Sequence, residues 1–113
     1  MHPAKVDRDR LQNLTDLPNI GRAMAEDLRQ LGIRQPAQLA GMDPLEMYDR
    51  LCATIGARQD PCVLDVFMSI VSFMNGEAPR PWWEFTEKRM LLRENHHARP
   101  TAGVANARPE KTL

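Results

Sequence analysis

Three features of the sequence predict an all-α fold, a compact domain of five or six short helices. Apolar residues recur at three- and four-residue steps, Asp-Pro pairs stand where helices would start, and glycines stand where they would stop. With 113 residues, 42% of them hydrophobic, the chain can bury one modest core, and nine prolines and six glycines divide it into short segments.

Met1 to Arg8 are charged and aperiodic, so residues 1–10 are expected to form a flexible N-terminus. Leu11, Leu14 and Leu17 predict a short first helix ending at Pro18, because the residue before a proline is pushed out of the helical region. A second helix should run from about Gly21 to Leu31, with Ala23, Met24, Leu28 and Leu31 inward and Arg22, Glu26, Asp27 and Arg29 outward. Gly32 supplies its left-handed cap. Pro36 to Ala40 make one or two helical turns. Asp43 then caps a fourth helix with Pro44 in its first position, and Leu45, Tyr48, Leu51, Cys52 and Ile55 form its apolar stripe.

Asp60 and Pro61 start a fifth helix by the same chemistry. From Val63 to Met74 it is apolar around most of its circumference, with Asp65, Ser69 and Ser72 as a narrow polar stripe. A helix of that kind is the central spine of a small bundle, with a dimer interface as the alternative use of its surplus apolar surface. Asn75 and Gly76 end it, Pro79-Arg80-Pro81 forces an extended connector, and Trp82-Trp83-Glu84-Phe85 opens a last helix reaching Met90 to Leu92. The folded domain is therefore placed at 11–93. Residues 94–113 are polar and aperiodic and are expected to be a disordered C-terminal tail.

The candidate functional segment is Leu17-Pro18-Asn19-Ile20-Gly21-Arg22-Ala23-Met24-Ala25. Leu17 and Ile20 are spaced to tuck into a helix junction, Asn19 tolerates the left-handed region, and Gly21 allows close backbone approach. A tight turn placed directly before a helix points unpaired N–H groups and the positive end of a dipole outward, which suits a phosphate. The pattern resembles a helix-hairpin-helix motif. Sliding the chain by 22 residues aligns Leu17 with Leu39, Asn19 with Gly41, Ile20 with Met42, Ala23 with Leu45 and Ala25 with Met47, as in a degenerate second hairpin. Asp43 then stands where Gly21 does, and its carboxylate would repel a phosphate.

LPNIGRAMAEDLRQLGI, DPLEMYDRLC, DPCVLDVF and PWWEF together resemble the small bacterial helix-hairpin-helix proteins of the pathogenicity-locus family, also labelled mitomycin-resistance proteins. The resemblance spans Leu11 to Phe85. The turn itself is similar to the DNA-contacting turn of the C-terminal domain of the RNA polymerase alpha subunit, and LPNIGRAMAEDLRQLGI to the C-terminal domain of competence regulators. The resemblance implies a DNA-binding type of fold. The chain departs from the pattern at Asn19, where the first hairpin glycine is usual, and in the second hairpin, which lacks its second glycine.

The partner expected from these residues is DNA, bound without sequence preference. Asn19, Ile20, Gly21, Arg22 and Ala23 would hold one phosphate, with Arg29 and Arg34 on neighbouring ones. No cluster of Asn, Gln or Arg marks a recognition helix, so base readout is not expected. Fifteen Lys plus Arg balance fifteen Asp plus Glu, so attraction must come from a local patch rather than from a global basic field. The alternative is a protein-interaction or regulatory module using the apolar fifth helix and the tryptophans, as a monomer or weak homodimer.

No nucleophile–base set, Walker loop or HExxH motif is present, so neither an enzyme nor a cofactor is expected. Cys52 and Cys62 are too few for a disulfide framework and suit reduced structural thiols, although a place in the first turn of the fifth helix would lower the pKa of Cys62. A Cys2His2 set with His96 and His97 matches no zinc spacing. Trp82 and Trp83 could stack on an unpaired base or anchor a partner through exposed faces. Because adjacent residues point in different directions, one is expected to pack on the fifth helix, as a core clamp, and the other to lie nearer the surface. The N-terminus lacks the apolar core of a signal peptide and no apolar run is long enough to span a membrane, which predicts a cytoplasmic protein without membrane contact.

Overall fold

Fourteen residues of nearly continuous apolar sequence become the centre of the molecule. The computed structural model describes the backbone of residues 1–98 and the side chains of residues 1–92. Among them lie four α-helices and no strand: α1 (Arg22–Gln30), α2 (Pro44–Ile55), α3 (Pro61–Met74) and α4 (Thr86–Ala98). Short 3-10 turns stand at Pro3–Lys5, Arg8–Arg10, Leu14–Asp16, Pro36–Leu39 and Trp82–Phe85. The expected first helix and the expected element at Pro36 are thus single 3-10 turns, and the count of five or six helices falls to four. Each turn is closed by its own side chain, with Asp16 and Gln38 reaching back to the amides that precede the turn.

Helix α3 is the predicted spine. Leu64, Val66, Phe67, Ile70, Val71 and Phe73 are all buried, and Val63, Met68 and Met74 are half-buried against them, so most of its apolar surface is taken up inside the fold. Leu14, Leu17, Ile20, Leu28, Leu39, Tyr48 and Leu51 pack in the same core. At about 25 cal/mol per Å2 of apolar area removed from water, a buried leucine or phenylalanine contributes roughly 1.5–3 kcal/mol. The inner face of α1 carries Ala25 and Leu28, while Ala23 is exposed. On α2, Met47 is buried and Ile55, one residue before the left-handed Gly56, is exposed.

Two of the three residues in the polar stripe of α3 do not face solvent, while Ser72 is half-buried. Asp65 is 0% exposed and Ser69 2%. Asp65 accepts from Arg89 Nε at 2.9 Å and from Thr86 Oγ1 at 2.8 Å, which fastens α4 to the spine. Ser69 donates to the Val66 carbonyl at 2.6 Å and accepts from Asn19 Nδ2 at 3.0 Å. A buried charge or hydroxyl is tolerable only when its hydrogen bonds are made, and both are.

The segment 1–10, expected to be flexible, makes specific contacts. Arg8 donates to the carbonyls of Phe73 at 2.7 Å and Glu77 at 2.6 Å, and its guanidinium lies 4.0 Å over the Phe73 ring. It thereby satisfies carbonyls at the C-terminal end of α3, where a cation is favoured by the helix dipole. At the other boundary, α4 continues through Ala98, so 94–98 are helical. From Arg99 onward the expected tail lies outside the described residues. No described helix is long and apolar enough to cross a membrane.

Candidate functional site

Asn19 has φ 67°, alone among the described non-glycine residues in being left-handed. That conformation turns the chain between Leu17 and α1. Leu17 is 0% and Ile20 1% exposed, so both anchor the turn in the core, and Ile20 offers backbone rather than side chain to any ligand. The Asn19 side chain locks the turn from outside, donating from Nδ2 to Ser69 Oγ and, at 2.8 Å, to the Arg80 carbonyl. Its amide donates to the Met1 carbonyl at 2.7 Å, and the Met1 amino group donates to the carbonyls of Leu17 and Ile20 at 2.9 and 2.7 Å.

Gly21 is the N-cap of α1 and provides no side-chain cap. Its φ of −98° is open to any residue, and a Cβ there would meet nothing within 4 Å. The glycine is therefore not demanded by the backbone, and what it contributes is free space before the helix. The first α-helical bond involving this turn runs from Ala25 N–H to the Gly21 carbonyl at 3.0 Å. The amides of Gly21, Arg22, Ala23 and Met24 have no acceptor among the described residues, as the start of an uncapped helix requires.

The 22-residue repeat is present in the hydrogen bonds. Asp16 N–H to Asn13 O at 3.0 Å pairs with Gln38 N–H to Gln35 O at 3.1 Å, Ile20 to Leu17 at 3.4 Å with Met42 to Leu39 at 3.1 Å, and Ala25 to Gly21 with Met47 to Asp43, both at 3.0 Å. Asp16 Oδ2 accepts from the amides of Gln12 and Asn13, and Gln38 Oε1 from those of Arg34 and Gln35. Gly41, the counterpart of Asn19, has φ 79°. The difference is at the cap. Asp43 Oδ1 accepts from Leu45 N–H at 2.9 Å and Glu46 N–H at 3.4 Å, the counterparts of Ala23 and Met24. The second turn thus holds its own carboxylate on the amides that the first leaves open.

The structure brings Asn19 to Ala23 together and separates the more distant arginines from them. Arg22 is exposed at the open amides, with no partner among the described residues. Arg29 lies seven residues along α1, about 10 Å away by helical rise, and pairs with Glu26 at 3.4 Å. Arg34 follows the C-terminal end of α1 and opens the second turn, its amide donating to Gln38. Arg80, which sequence spacing did not indicate, is brought beside the first turn by Asn19, sixty-one residues earlier.

Neighbouring carboxyls divide by environment. The amides of Asn13 and Gln12 hold Asp16 below the usual carboxylate range, whereas burial and then the Glu26 charge push Asp27 up. Both cysteines are free and half-buried. Burial first, and then the hydrogen bond to Asp60 and its charge, raise the Cys62 thiol pKa, opposite to the lowering expected from its place in the first turn of α3. No three His, Cys, Asp or Glu among the described residues are placed to hold a metal.

The chain belongs to the pathogenicity locus family, Cdd1, whose family model matches residues 7–90, from the arginine-bearing N-terminal turns to α4. Mitomycin resistance protein McrB of Streptomyces lavendulae is 45% identical over 98 residues, spanning 84% of this chain and 93% of that protein. No solved structure matches the chain significantly.

Proposed function

We propose that the chain is an accessory DNA-binding module of the cytoplasm, not an enzyme, and that the turn at Asn19 with α1 works as a helix-hairpin-helix grip on the phosphate backbone. The observation that carries this reading is the contrast between the two repeats. At α2 the first-turn amides are filled by the Asp43 carboxylate, and at α1 the same amides stand open before a glycine, with Arg22 beside them. An oxyanion seated on Ala23 and Met24 would repeat what Asp43 does in the second turn, aided by the positive end of the helix dipole. Such contacts position a strand without reading its sequence. With most of the apolar surface of α3 in the core and Val63, Met68 and Met74 half-buried, the module acts as a monomer or weak homodimer.

The test is fluorescence anisotropy of labelled DNA at two salt concentrations with wild type, Gly21→Asp and Arg22→Ala. Gly21→Asp gives α1 the cap that α2 already has, so the fold is kept while the site is filled. Binding that weakens with salt and is lost in Gly21→Asp is expected. Unchanged binding by that variant would place the DNA elsewhere and sink the proposal.

A further inference from the structure

We propose that the DNA held at α1 is single-stranded, with an unpaired base stacked on Trp83. The inference rests on the phosphate-site reading and names the form of its ligand. Asn19 ties the turn to the Arg80 carbonyl at 2.8 Å, and Arg80 leads directly into the 3-10 turn Trp82–Phe85. Phe85 is buried and Trp82 packs against the core, so that short turn is anchored at two points. Trp83 is left 61% exposed. Its ring meets Trp82 edge to face, with centroids 5.8 Å apart and planes at 81°, which braces the indole against rotation.

The order of elements along a bound strand follows from chain reach. Gly21 lies two residues from Asn19 and Trp83 three from Arg80, at most about 7 and 11 Å of extended backbone. Phosphate site and indole therefore lie no more than about 21 Å apart, within the span of a single-strand site of ~4–16 nucleotides. Arg80 itself, whose carbonyl meets the turn, carries a guanidinium whose partner among the described residues is Glu84, in an exposed ion pair at 3.5 Å. An exposed pair of that kind is readily exchanged for a phosphate.

An outward indole finds no free base face on a duplex, whose bases are already stacked on one another. Unpaired bases offer theirs, and stacking is tolerant of sequence. The charge balance points the same way. With fifteen basic and fifteen acidic residues, the chain lacks the field that carries nonspecific duplex binding, so a second, non-ionic contact is required for useful affinity.

Anisotropy with a labelled 12-nucleotide oligothymidine and a matched duplex tests this on the full chain, together with intrinsic tryptophan fluorescence. The oligothymidine is expected to bind more tightly and to quench the fluorescence. Trp83→Ala should lose about tenfold on the single strand with no change on the duplex, and Trp83→Phe should recover part of that loss. Thermal unfolding at the wild-type midpoint shows that both variants fold. If Gly21→Asp abolishes binding while Trp83→Ala binds the oligothymidine as wild type does, the phosphate site stands and the stacking inference falls. Equal losses on single strand and duplex overturn it as well. No binding of either DNA by wild type removes the phosphate reading, and this inference with it.

Discussion

Arg89 reaches the fully buried carboxylate of Asp65 at 2.9 Å, from a side chain that is itself 19% exposed. This pair, with Thr86 on the second carboxylate oxygen, is the polar fastening between α3 and α4. Removing one partner leaves a buried charge uncompensated. Arg89→Met is expected to cost about 3–5 kcal/mol, and Asp65→Leu combined with Arg89→Met to recover most of it. Urea unfolding of the two variants checks the order.

Asn19 serves the fold through two separate properties. Asn19→Gly keeps the left-handed backbone and loses the bonds to Ser69 and Arg80, at about 1 kcal/mol each. Asn19→Ala loses the same bonds and adds roughly 1–2 kcal/mol of backbone strain at φ 67°. The expected stability order by denaturant midpoint is therefore wild type, then Gly, then Ala.

Asp43 and Gly21 should respond oppositely to exchange of their caps. Asp43→Ala removes acceptors from Leu45 and Glu46 and is expected to cost about 0.5–2 kcal/mol, whereas Gly21→Asp should gain a few tenths. Thermal unfolding of the two variants measures both. A loss of stability in Gly21→Asp would mean that a carboxylate cannot be seated at α1 as it is at α2.

Two acids give pH dependences of opposite sign. Asp16 titrates below its ordinary 3.8 in the folded chain, so its contribution is full above that value and is lost as pH falls through the lower folded one. Asp16→Asn should be less stable than wild type at neutral pH and match it in acid. Asp27 titrates above 3.8, so its effect runs the other way, with stability lost as pH climbs through the raised value. Asp27→Asn should be the more stable protein at neutral pH, with the gain vanishing in acid. Unfolding midpoints taken from about pH 1 to 7 decide both.

Cys62 should alkylate slowly for a helix N-terminal thiol. Its pKa is raised by burial and by Asp60, so little thiolate is present at neutral pH. Asp60→Asn is expected to speed reaction with iodoacetamide, followed by intact mass. No acceleration would show that burial alone governs this thiol.

What could be read from the sequence was local. The caps at Asp43 and Asp60, the left-handed Asn19 and the apolar spine depend on residues within a turn of one another, and they lie where spacing put them. The 22-residue register was legible for the same reason. The expected first helix is a 3-10 turn instead, because three leucines at three-residue steps fit either geometry and Asn13 and Asp16 close the short turn at Leu14–Asp16. Distant pairings left no such mark. Nothing near Asp65 or Ser69 announces Arg89 or Asn19, so the sequence shows two polar residues on the spine but not that they dock two other elements. Arg80 escaped the candidate site because its connection to the turn is made through a backbone carbonyl, which every residue has. Arg29 and Arg34 entered it because proximity along the chain suggested a proximity in space that helix α1 removes.

The doubled turn also gives the molecule an internal reference. Salt, temperature and pH act on the amides at the start of both helices, while an added anion can compete for only the pair that Asp43 does not already occupy. In a titration followed by amide chemical shift, Leu45 and Glu46 would therefore record the solvent and Ala23 and Met24 the ligand. The difference between the two pairs is a signal corrected within each molecule, without a second sample.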